Sequence, residues 1–259
     1  MPADFNKKIV GDNFSRAAKN YENSAPVQML AAETLCKLAS HFIKDDSQIL
    51  DLGSGTGFVA KQLHNLKIFE SDLAFGMLEQ SGSRSFKIQS DFENLPFKNH
   101  SFDILISSFS LQWMTNFEEN FSHFFSLLKP DGIFAFCIPT DGSLAELKAA
   151  NIFVINQFPK IDELKSALNN CGFEEVFCET EIVKQRFENG VAAIKSLKKI
   201  GANNSSSGAK TITKTALEQF NNFCLKNSSS SLKNPLVKNP VVKKIETSWH
   251  ISYFILSKR

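Results

Sequence analysis

The feature that most constrains the fold is a glycine-rich turn, Asp51-Leu52-Gly53-Ser54-Gly55-Thr56-Gly57. It follows a short apolar segment typical of a buried strand, and it precedes residues 58–65, which are typical of a helix. Glycines at such a position permit a tight turn and let the backbone approach a ligand closely. The strand–turn–helix unit therefore predicts an α/β fold with a ligand site at the turn.

The chain continues to alternate between strand-like and helix-like segments, which favours parallel strands joined by helical crossovers. Residues 58–65, 116–128 and 161–171 resemble helices, and Lys129-Pro130-Asp131-Gly132 is a turn signal. We expect an α/β fold with a seven-stranded, mostly parallel, Rossmann-like sheet and helices on both faces. The strand-like segments are residues 46–52, 66–71, 86–90, 102–108, 133–137, 173–187 and 248–256.

About sixty residues before the last strand do not follow this alternation. They contain helix-like pieces near residues 190–199 and 215–225, together with two serine-rich polar tracts at 203–208 and 227–231. Polar tracts of this kind usually form loops. We expect one domain over residues 1–259, divided into N-terminal helices that cover the pocket (1–45), a cofactor-binding core (46–140) and a helical lid insertion (188–246).

The spacing of the glycines excludes two common nucleotide sites. It is too short for the G-x-G-x-x-G dinucleotide loop, and the Gly-Lys-Ser/Thr of a P-loop is absent. A second acid, Asp72, stands at the end of the next strand-like segment, 21 residues after Asp51. An acid at this position commonly binds the two hydroxyls of a ribose.

This pattern resembles the class I S-adenosylmethionine-dependent methyltransferases over residues 48–138. The resemblance implies that S-adenosylmethionine is the cofactor and that the glycine turn packs against its methionine and ribose parts. It further implies that Asp72 accepts hydrogen bonds from the ribose, that Asp91 binds the adenine amine beside Phe92, and that Ser107 lies under the sulfonium. The cofactor-binding residues implied in this way are Asp51, Gly53, Gly55, Gly57, Asp72, Leu73, Asp91, Phe92 and Ser107.

Three flanking motifs extend the resemblance to most of the chain. They are similar to motifs of the malonyl-acyl-carrier-protein O-methyltransferases of biotin synthesis, the BioC family. The resemblance implies that the substrate is the free carboxylate of a malonyl thioester on an acyl carrier protein. The motifs are Phe14-Ser15-Arg16-Ala17-Ala18-x-x-Tyr21 with Ala25-x-x-Gln28, Ser107-x-x-x-Leu111-Gln112-Trp113, and Ser196-Leu197-Lys198-x-Ile200-Gly201-Ala202.

The chemistry of this reaction explains why Tyr21 and Arg16 are candidate catalytic residues. A carboxylate is already deprotonated at neutral pH, so no general base is required and alignment becomes the main task. A guanidinium and a phenol can both hold a carboxylate. Phe14, Ala17, Ala18 and Tyr21 form one helical stripe, which we expect to cover the pocket. In the alternative reading, Tyr21 is a core aromatic residue and Arg16 a surface charge.

The remaining candidates concern the substrate and its carrier. Gln112 and Trp113 lie just beyond a strand end and could line the substrate channel, although Trp113 could equally be a core residue. Residues 1–183 carry 15 basic and 24 acidic residues, whereas residues 184–259 carry 14 and 3. Lys195, Lys198 and Lys199 could therefore dock the acidic carrier protein, or simply form a solvated helix face.

Other classes of function remain open on sequence alone. One is a methyltransferase of other small molecules, such as a quinone C-methyltransferase, and another is a cofactor-binding assembly factor of respiratory complexes. The five cysteines form no C-x-x-C pair, and residues 1–13 lack the apolar stretch of a signal peptide. We therefore expect a cytoplasmic enzyme with no metal site, no nucleic-acid partner and no membrane span.

Overall fold

The structure is a computed structural model. It describes residues 7–149, 158–200, 218, 220–222 and 245–259 of the chain. The described residues contain one sheet of seven strands. The strands are β1 (Gln48–Leu52), β2 (Lys67–Asp72), β3 (Phe86–Gln89), β4 (Phe102–Ser108), β5 (Leu128–Pro139), β6 (Glu174–Phe187) and β7 (Ile245–Ser257).

The strand order in the sheet is β3-β2-β1-β4-β5-β7-β6. β1 to β5 run parallel, whereas β7 pairs antiparallel with both β5 and β6. The prediction of a seven-stranded, mostly parallel sheet is confirmed. The direction of winding reverses between β1 and β4, and ligands of such sheets bind at the carboxyl ends of the strands where this reversal occurs.

Eight α-helices accompany the sheet within the described residues. Two of them, α4 and α6, lie where the sequence analysis predicted none, and α3 is three residues shorter than expected. The helices are α1 (Lys7–Ser24), α2 (Pro26–Ala39), α3 (Phe58–Gln62), α4 (Phe75–Gln80), α5 (Phe117–Leu127), α6 (Ala145–Ala149), α7 (Ile161–Asn170) and α8 (Gly190–Lys199).

The hydrophobic core has two layers because successive strand residues point to opposite faces of the sheet. In β1, Ile49 joins the apolar cluster that contains residues of α2 and α3. Its neighbour Leu50 joins the cluster that contains residues of α5 and α7. Helices therefore cover both faces, as the sequence pattern predicted.

The Lys129-Pro130-Asp131-Gly132 turn signal falls inside β5 rather than between two elements. Asp131 has a left-handed backbone, with φ of 59°, and the pairing of β5 with β4 shifts register between Phe102 and Ile104. The turn is therefore an irregularity within a longer strand. β5 starts at Leu128, five residues earlier than the predicted strand at 133–137.

Close packing against α4 holds α1 beside the carboxyl ends of the strands. A Cβ atom on Gly76 of α4 would lie 2.8 Å from the carbonyl oxygen of Ser15 and 2.9 Å from its Cα. Ala18 of α1 packs with Ala74 and Met77 in a small apolar cluster. Small residues at this contact bring the α1 backbone close to α4, and Phe14 and Tyr21 thereby reach the ligand site.

The expected insertion, residues 188–246, is only partly covered by the described residues. They include α8 and a helical piece at residues 218 and 220–222, where Phe220 is fully buried. Residues 201–217, 219 and 223–244 lie outside the described part, and so do most of the expected helix at 215–225 and both serine-rich tracts. Among the described helices, none combines the length and apolar character needed to cross a membrane.

Candidate active site

A cavity opens at the carboxyl ends of β1 and β4, where the sheet reverses its winding. It is lined by residues that follow β1, β2, β3 and β4 and by residues of α1. Of the predicted cofactor residues, the lining includes Asp51, Gly53, Gly55, Asp72, Leu73, Asp91 and Phe92. We refer to it as the cofactor cavity.

The glycine turn has the left-handed backbone that glycine accommodates best, with φ of 67° at Gly53, 58° at Gly55 and 80° at Gly57. A Cβ atom at Gly53 would lie 2.4 Å from the Cβ of Ser110. At Gly57 it would lie 2.4 Å from Ser81 Oγ, and this glycine is not part of the cavity lining. At Gly55 it would meet no atom within 4 Å, so this glycine leaves open space for a ligand.

The carboxylate of Asp72 is anchored by backbone amides. Oδ2 accepts a hydrogen bond from Gly55 N at 2.8 Å, and Oδ1 accepts one from Ala74 N at 2.7 Å. Burial raises the pKa of Asp72 to about 6, although the two backbone hydrogen bonds oppose this shift. The backbone thus fixes the carboxylate in the cavity wall, and each oxygen keeps a lone pair for a ligand hydroxyl.

Asp51 is a buried acid of the cavity lining. Both of its carboxylate oxygens are buried and lack a hydrogen-bond partner among the described residues, as do the hydroxyls of Ser54 and Thr56. Burial, with the nearby charges of Glu70 and Asp72, raises the pKa of Asp51 well above its usual value. Such a group is suited to a ligand that brings a positive charge or hydrogen-bond donors.

Asp91 lies at the other end of the cofactor cavity. Its Oδ2 atom is 2.7 Å from Lys7 Nζ, and its Oδ1 atom accepts a hydrogen bond from Glu93 N at 3.0 Å. Lys7, the first residue of α1, also pairs with Glu93. Sequence reasoning gave Lys7 no function, and the structure places it in the cavity lining next to Phe92.

Ser107 lies behind the wall of the cofactor cavity. It is fully buried, its hydroxyl donates a hydrogen bond to the carbonyl of Leu52 at 2.8 Å, and it is not part of the lining. Ser108 and Ser110 line the cavity in its place. Ser107 therefore supports the end of β1, and the expectation that it forms the cavity floor is corrected.

Tyr21 stands between the cofactor cavity and a second, smaller cavity, and it lines both. Its ring lies 6.3 Å from the ring of Phe14 and 6.1 Å from that of Phe58. Burial, together with the negative charge of Asp72, raises the pKa of the phenol. Tyr21 therefore stays protonated at neutral pH and can donate a hydrogen bond into either cavity.

Arg16 does not line either cavity, which favours the alternative reading of Arg16 as a surface charge. Its side chain is exposed and bonds to the carbonyl of Asp12 at 3.2 Å and to the side chain of Asn13, both on α1. Arg16 is five residues from Tyr21, which places it about 140° around the helix from the stripe that faces the cavities. Its guanidinium faces the solvent side of α1.

The second cavity is mostly apolar and includes Gln112 and Trp113, as the sequence motif suggested. It also contains three residues to which sequence reasoning gave no function: Gln28, Phe158 and Trp249. Gln28 had been noted only as part of a motif, and Trp249 only as part of a buried strand. The two cavities share Phe14, Tyr21, Gln28, Phe109 and Trp113, so they adjoin one another.

The basic residues proposed for carrier docking lie on or near α8. Lys195 and Lys199 are exposed, and the side chain of Lys198 lies outside what the structure describes. Ile200, the residue after α8, lines the second cavity. The described part of the insertion is therefore adjacent to the site. No three His, Cys, Asp or Glu side chains of the described residues are grouped as metal ligands would be.

Comparisons with known proteins support this reading of the fold. Residues 50–136 match a family model described as a methyltransferase domain. A putative methyltransferase from Bacillus halodurans superposes with a TM-score of 0.62 at 15% identity, covering 86% of this chain and 98% of that one. The YcgJ protein of Bacillus subtilis gives a TM-score of 0.61 at 14% identity, covering 88% and 98%. At these identities the structures show a shared fold.

Curated relatives match the sequence over most of its length. The malonyl-[acyl-carrier protein] O-methyltransferase of Geobacter sulfurreducens is 31% identical over 223 residues, which is 77% of this chain and 83% of the relative. The enzyme of the same name from Buchnera aphidicola is 30% identical over 225 residues, or 83% and 89% of the two chains.

The sheet topology, the glycine turn and the domain match together define a class I methyltransferase whose cofactor is S-adenosylmethionine. Within that class, the identity to curated relatives is decisive. The chain belongs to the malonyl-[acyl-carrier protein] O-methyltransferase family.

Proposed function

We propose that the chain methylates the free carboxylate of a malonyl thioester carried by an acyl carrier protein, an early step in biotin synthesis. One observation carries the proposal. The acidic cofactor cavity meets the second cavity at Tyr21, and Tyr21 is the only ionisable side chain in the described lining of the second cavity. The reaction named for the curated relatives agrees with this proposal.

The residues of the cofactor cavity fit S-adenosylmethionine. The open space at Gly55 leaves room for a ligand against the backbone, and Asp72 offers two acceptors to a ribose. The unpartnered oxygens of Asp51 suit the cationic amino acid part, with Ser54 and Thr56 beside them. Asp91 and Phe92 suit the adenine, with Lys7 adjacent. We assign cofactor binding to residues 46–140, closed on one side by the N-terminal helices of residues 1–45.

The reaction requires orientation more than acid–base chemistry. S-adenosylmethionine supplies a methyl group on a sulfonium when it is bound. Tyr21, kept protonated by its raised pKa, donates a hydrogen bond that orients the substrate carboxylate. Gln28, 6% exposed at the junction of the cavities, offers an amide as a second neutral donor. Neutral donors position the oxygen without the strong ground-state stabilisation that a buried cation would add.

The same observation counts against methylation at carbon. Attack by a carbon atom of a phenol or enol needs a base that removes a proton. In the second cavity, as far as its lining is described, no carboxylate, histidine, lysine or cysteine is present to do so. A carboxylate substrate needs no such group, so this lining favours carboxyl O-methylation over a quinone C-methyltransferase.

The carrier protein is the proposed partner in the cytoplasm. Acyl carrier proteins are strongly acidic, and residues 184–259 have a net charge of +11. The described part of the proposed lid insertion, residues 188–246, places exposed Lys195 and Lys199 near the second cavity. Opposite charges on the two surfaces would accelerate encounter and orient docking.

The decisive experiment incubates the purified chain with S-adenosylmethionine and malonyl-acyl-carrier protein. Intact-protein mass spectrometry should show the mass gain of one methyl group on the carrier, and mild alkali should remove it as expected for an ester. Acetyl-acyl-carrier protein, which lacks the free carboxylate, is the matched control and should gain no mass. Methylation of both carriers, or of neither, would refute the proposed reaction.

A further inference from the structure

We propose that the second cavity binds the pantetheine-type arm of the substrate and that Trp249 and Gln112 recognise the amide group nearest the thioester. This inference rests on the proposed function, because it concerns how the same thioester substrate is held. Neither residue has been given a defined contact so far. The inference identifies them as specificity-determining residues on the carrier side of the site.

Trp249 provides a hydrogen-bond donor without a partner. It is 3% exposed, and its Nε1 atom is buried and makes no hydrogen bond to the described residues. The indole is held edgewise against Phe109, with centroids 5.7 Å apart, and lies 6.1 Å from Phe158. All three side chains line the second cavity. An indole N–H can only donate, so the complementary ligand atom is an acceptor.

Gln112 provides the matching acceptor. Its Nε2 atom donates a hydrogen bond to the carbonyl of Phe109 at 2.7 Å, which fixes the orientation of the amide. Its Oε1 atom is buried and has no partner within the described part of the chain. Since the donor end of this amide is already used, the complementary ligand atom is a hydrogen-bond donor.

An unpartnered donor and an unpartnered acceptor in one small apolar cavity call for a ligand with both functions. A carboxylate or an ester offers only acceptors, and it would leave Gln112 Oε1 facing another oxygen. A secondary amide offers one N–H and one C=O, and therefore satisfies both side chains. The arm of an acyl carrier protein has such an amide two methylene groups beyond the thioester sulfur.

Because the two cavities adjoin, their positions indicate which end of the substrate lies in each. Tyr21 and Gln28 line both cavities, so the malonyl carboxylate lies at the junction, beside the cofactor cavity. The thioester and its arm then extend through the second cavity past Trp249. Ile200, the residue after α8, also lines the second cavity and belongs to the basic insertion. The arm therefore leaves the site toward the surface proposed to dock the carrier.

Three small malonyl thioesters test the inference in the presence of saturating S-adenosylmethionine. The first is the thioester of N-acetylcysteamine, which carries the amide. The second replaces the N–H by an ester oxygen, and the third replaces the whole amide by a hydrocarbon chain of equal length. For the unaltered chain, kcat/KM should fall about tenfold from the first to the second, because Gln112 Oε1 loses its donor. It should fall further for the third.

Two variants separate the two contacts. Trp249→Phe removes the N–H but keeps an aromatic ring, and it should lower kcat/KM about tenfold for the amide and ester thioesters but not for the hydrocarbon one. Gln112→Met removes the acceptor and should abolish the preference for the amide over the ester. Trp113→Phe, the matched tryptophan change in the same cavity, should leave the ratios between the three substrates unchanged. Melting temperatures verify that the variants are folded.

Equal kcat/KM for the amide and ester thioesters would overturn the inference, and so would losses in Trp249→Phe that are equal for all three substrates. If malonyl-acyl-carrier protein is still methylated in those cases, the proposed function survives and only the placement of the arm fails. If neither the carrier substrate nor any thioester is methylated, the proposed function fails and this inference fails with it.

Discussion

At the scale of single residues, Asp51 and Asp72 line the cofactor cavity, and a third acid, Glu70, is buried nearby outside the lining. Asp51 and Glu70 are at most 1% exposed, and both have carboxylate oxygens without a partner among the described residues. Asp72 stands beside them with its pKa raised to about 6. Burial of like charges destabilises the fold. For Asp51, which lines the cavity, we attribute the unpartnered oxygens to cofactor binding, because a cationic ligand would supply the missing interactions.

The raised pKa of Asp72 predicts that cofactor binding depends on pH. The ribose hydroxyls donate to the carboxylate, so protonation of Asp72 should weaken binding. The dissociation constant for S-adenosylmethionine, measured by calorimetry, should rise as the pH falls below about 6, by up to about tenfold per unit. Asp72→Asn should bind about tenfold more weakly at pH 8 and should lose much of this pH dependence; a residual slope would come from Asp51.

The free energy of unfolding of the ligand-free chain should depend on pH in the sense opposite to that of cofactor affinity. The folded chain holds the Asp72 proton more tightly than the unfolded chain, whose aspartate pKa is near 3.8. The contribution of Asp72 to the free energy of unfolding should therefore decrease as pH rises from about 4 to about 6. Asp72→Asn should remove this contribution. If Asp72→Asn instead binds S-adenosylmethionine with the same affinity and the same pH dependence as the unaltered chain, Asp72 does not contact the cofactor.

Tyr21→Phe tests the catalytic phenol by removing a single oxygen. If the hydroxyl orients the substrate carboxylate, turnover of malonyl-acyl-carrier protein should fall by at least about tenfold. The melting temperature and the affinity for S-adenosylmethionine should equal those of the unaltered chain. The chain offers a matched control, because its only other tyrosine, Tyr253, lies outside the lining of both cavities. Tyr253→Phe should retain full turnover, and equal turnover in both variants would make Tyr21 a packing residue.

Local pattern explains which site residues could be predicted. The glycine turn, Asp72 and Tyr21 occupy positions set by a nearby strand end or by one helical stripe, and the structure places all of them at the site except Gly57. Arg16 was proposed for the chemistry of its guanidinium, but it is not part of the helical stripe of Phe14, Ala17, Ala18 and Tyr21 and lies outside both cavity linings. Trp249 and Phe158 were missed because they are remote in sequence from every motif. Only the pairing of β7 with β5 and β6 brings Trp249 to this edge of the sheet.

At the scale of elements, the seating of α1 on α4 shapes the cofactor cavity. Gly76→Ala would place a Cβ 2.8 Å from the carbonyl oxygen of Ser15, so α1 would have to shift outward. Because α1 supplies Lys7, Phe14 and Tyr21 to the lining, we expect weaker binding of S-adenosylmethionine, by about tenfold. Isothermal calorimetry measures this affinity directly.

Gly82→Ala is the matched control for this substitution. A Cβ at Gly82 meets no atom within 4 Å, so the added methyl group should leave cofactor affinity unchanged. A normal affinity in Gly76→Ala would mean that α1 does not contribute to the cofactor site. An equal loss in both variants would point to an effect unrelated to the α1–α4 contact.

The strands were predicted more accurately than the short helices, and length explains the difference. Buried strands are apolar runs bounded by turns, which remain recognisable over five residues, as in β1. α4 and α6 have six and five residues, too few to display a helical period. Their helical form depends on packing against neighbouring elements. The same limit explains why α3 ends earlier than its sequence suggested.

At the scale of the whole molecule, charge is divided along the chain. Residues 1–183 have a net charge of −9, and residues 184–259 have a net charge of +11. The acidic part contains the residues proposed to hold a cationic cofactor, and the basic part contains the proposed docking surface for an acidic carrier. Composition revealed this division, but it could not show where the lysines lie. The structure places Lys195 and Lys199 on the surface of a helix adjoining the second cavity.

Replacement of Lys195 and Lys199 by Glu tests this division of charge. The KM for malonyl-acyl-carrier protein should rise by at least about tenfold, and the rise should shrink at high salt, where screening weakens steering. Binding of S-adenosylmethionine and turnover of the malonyl thioester of N-acetylcysteamine should hold, because neither ligand has an acidic protein surface. Lys37 and Lys44, which are exposed and lie outside the lining of both cavities, give a control with the same change in charge and should leave KM unaltered. Weaker activity on both the carrier and the small thioester would mean that the lysines support the site itself. Unchanged activity on both would mean that α8 does not form the docking surface.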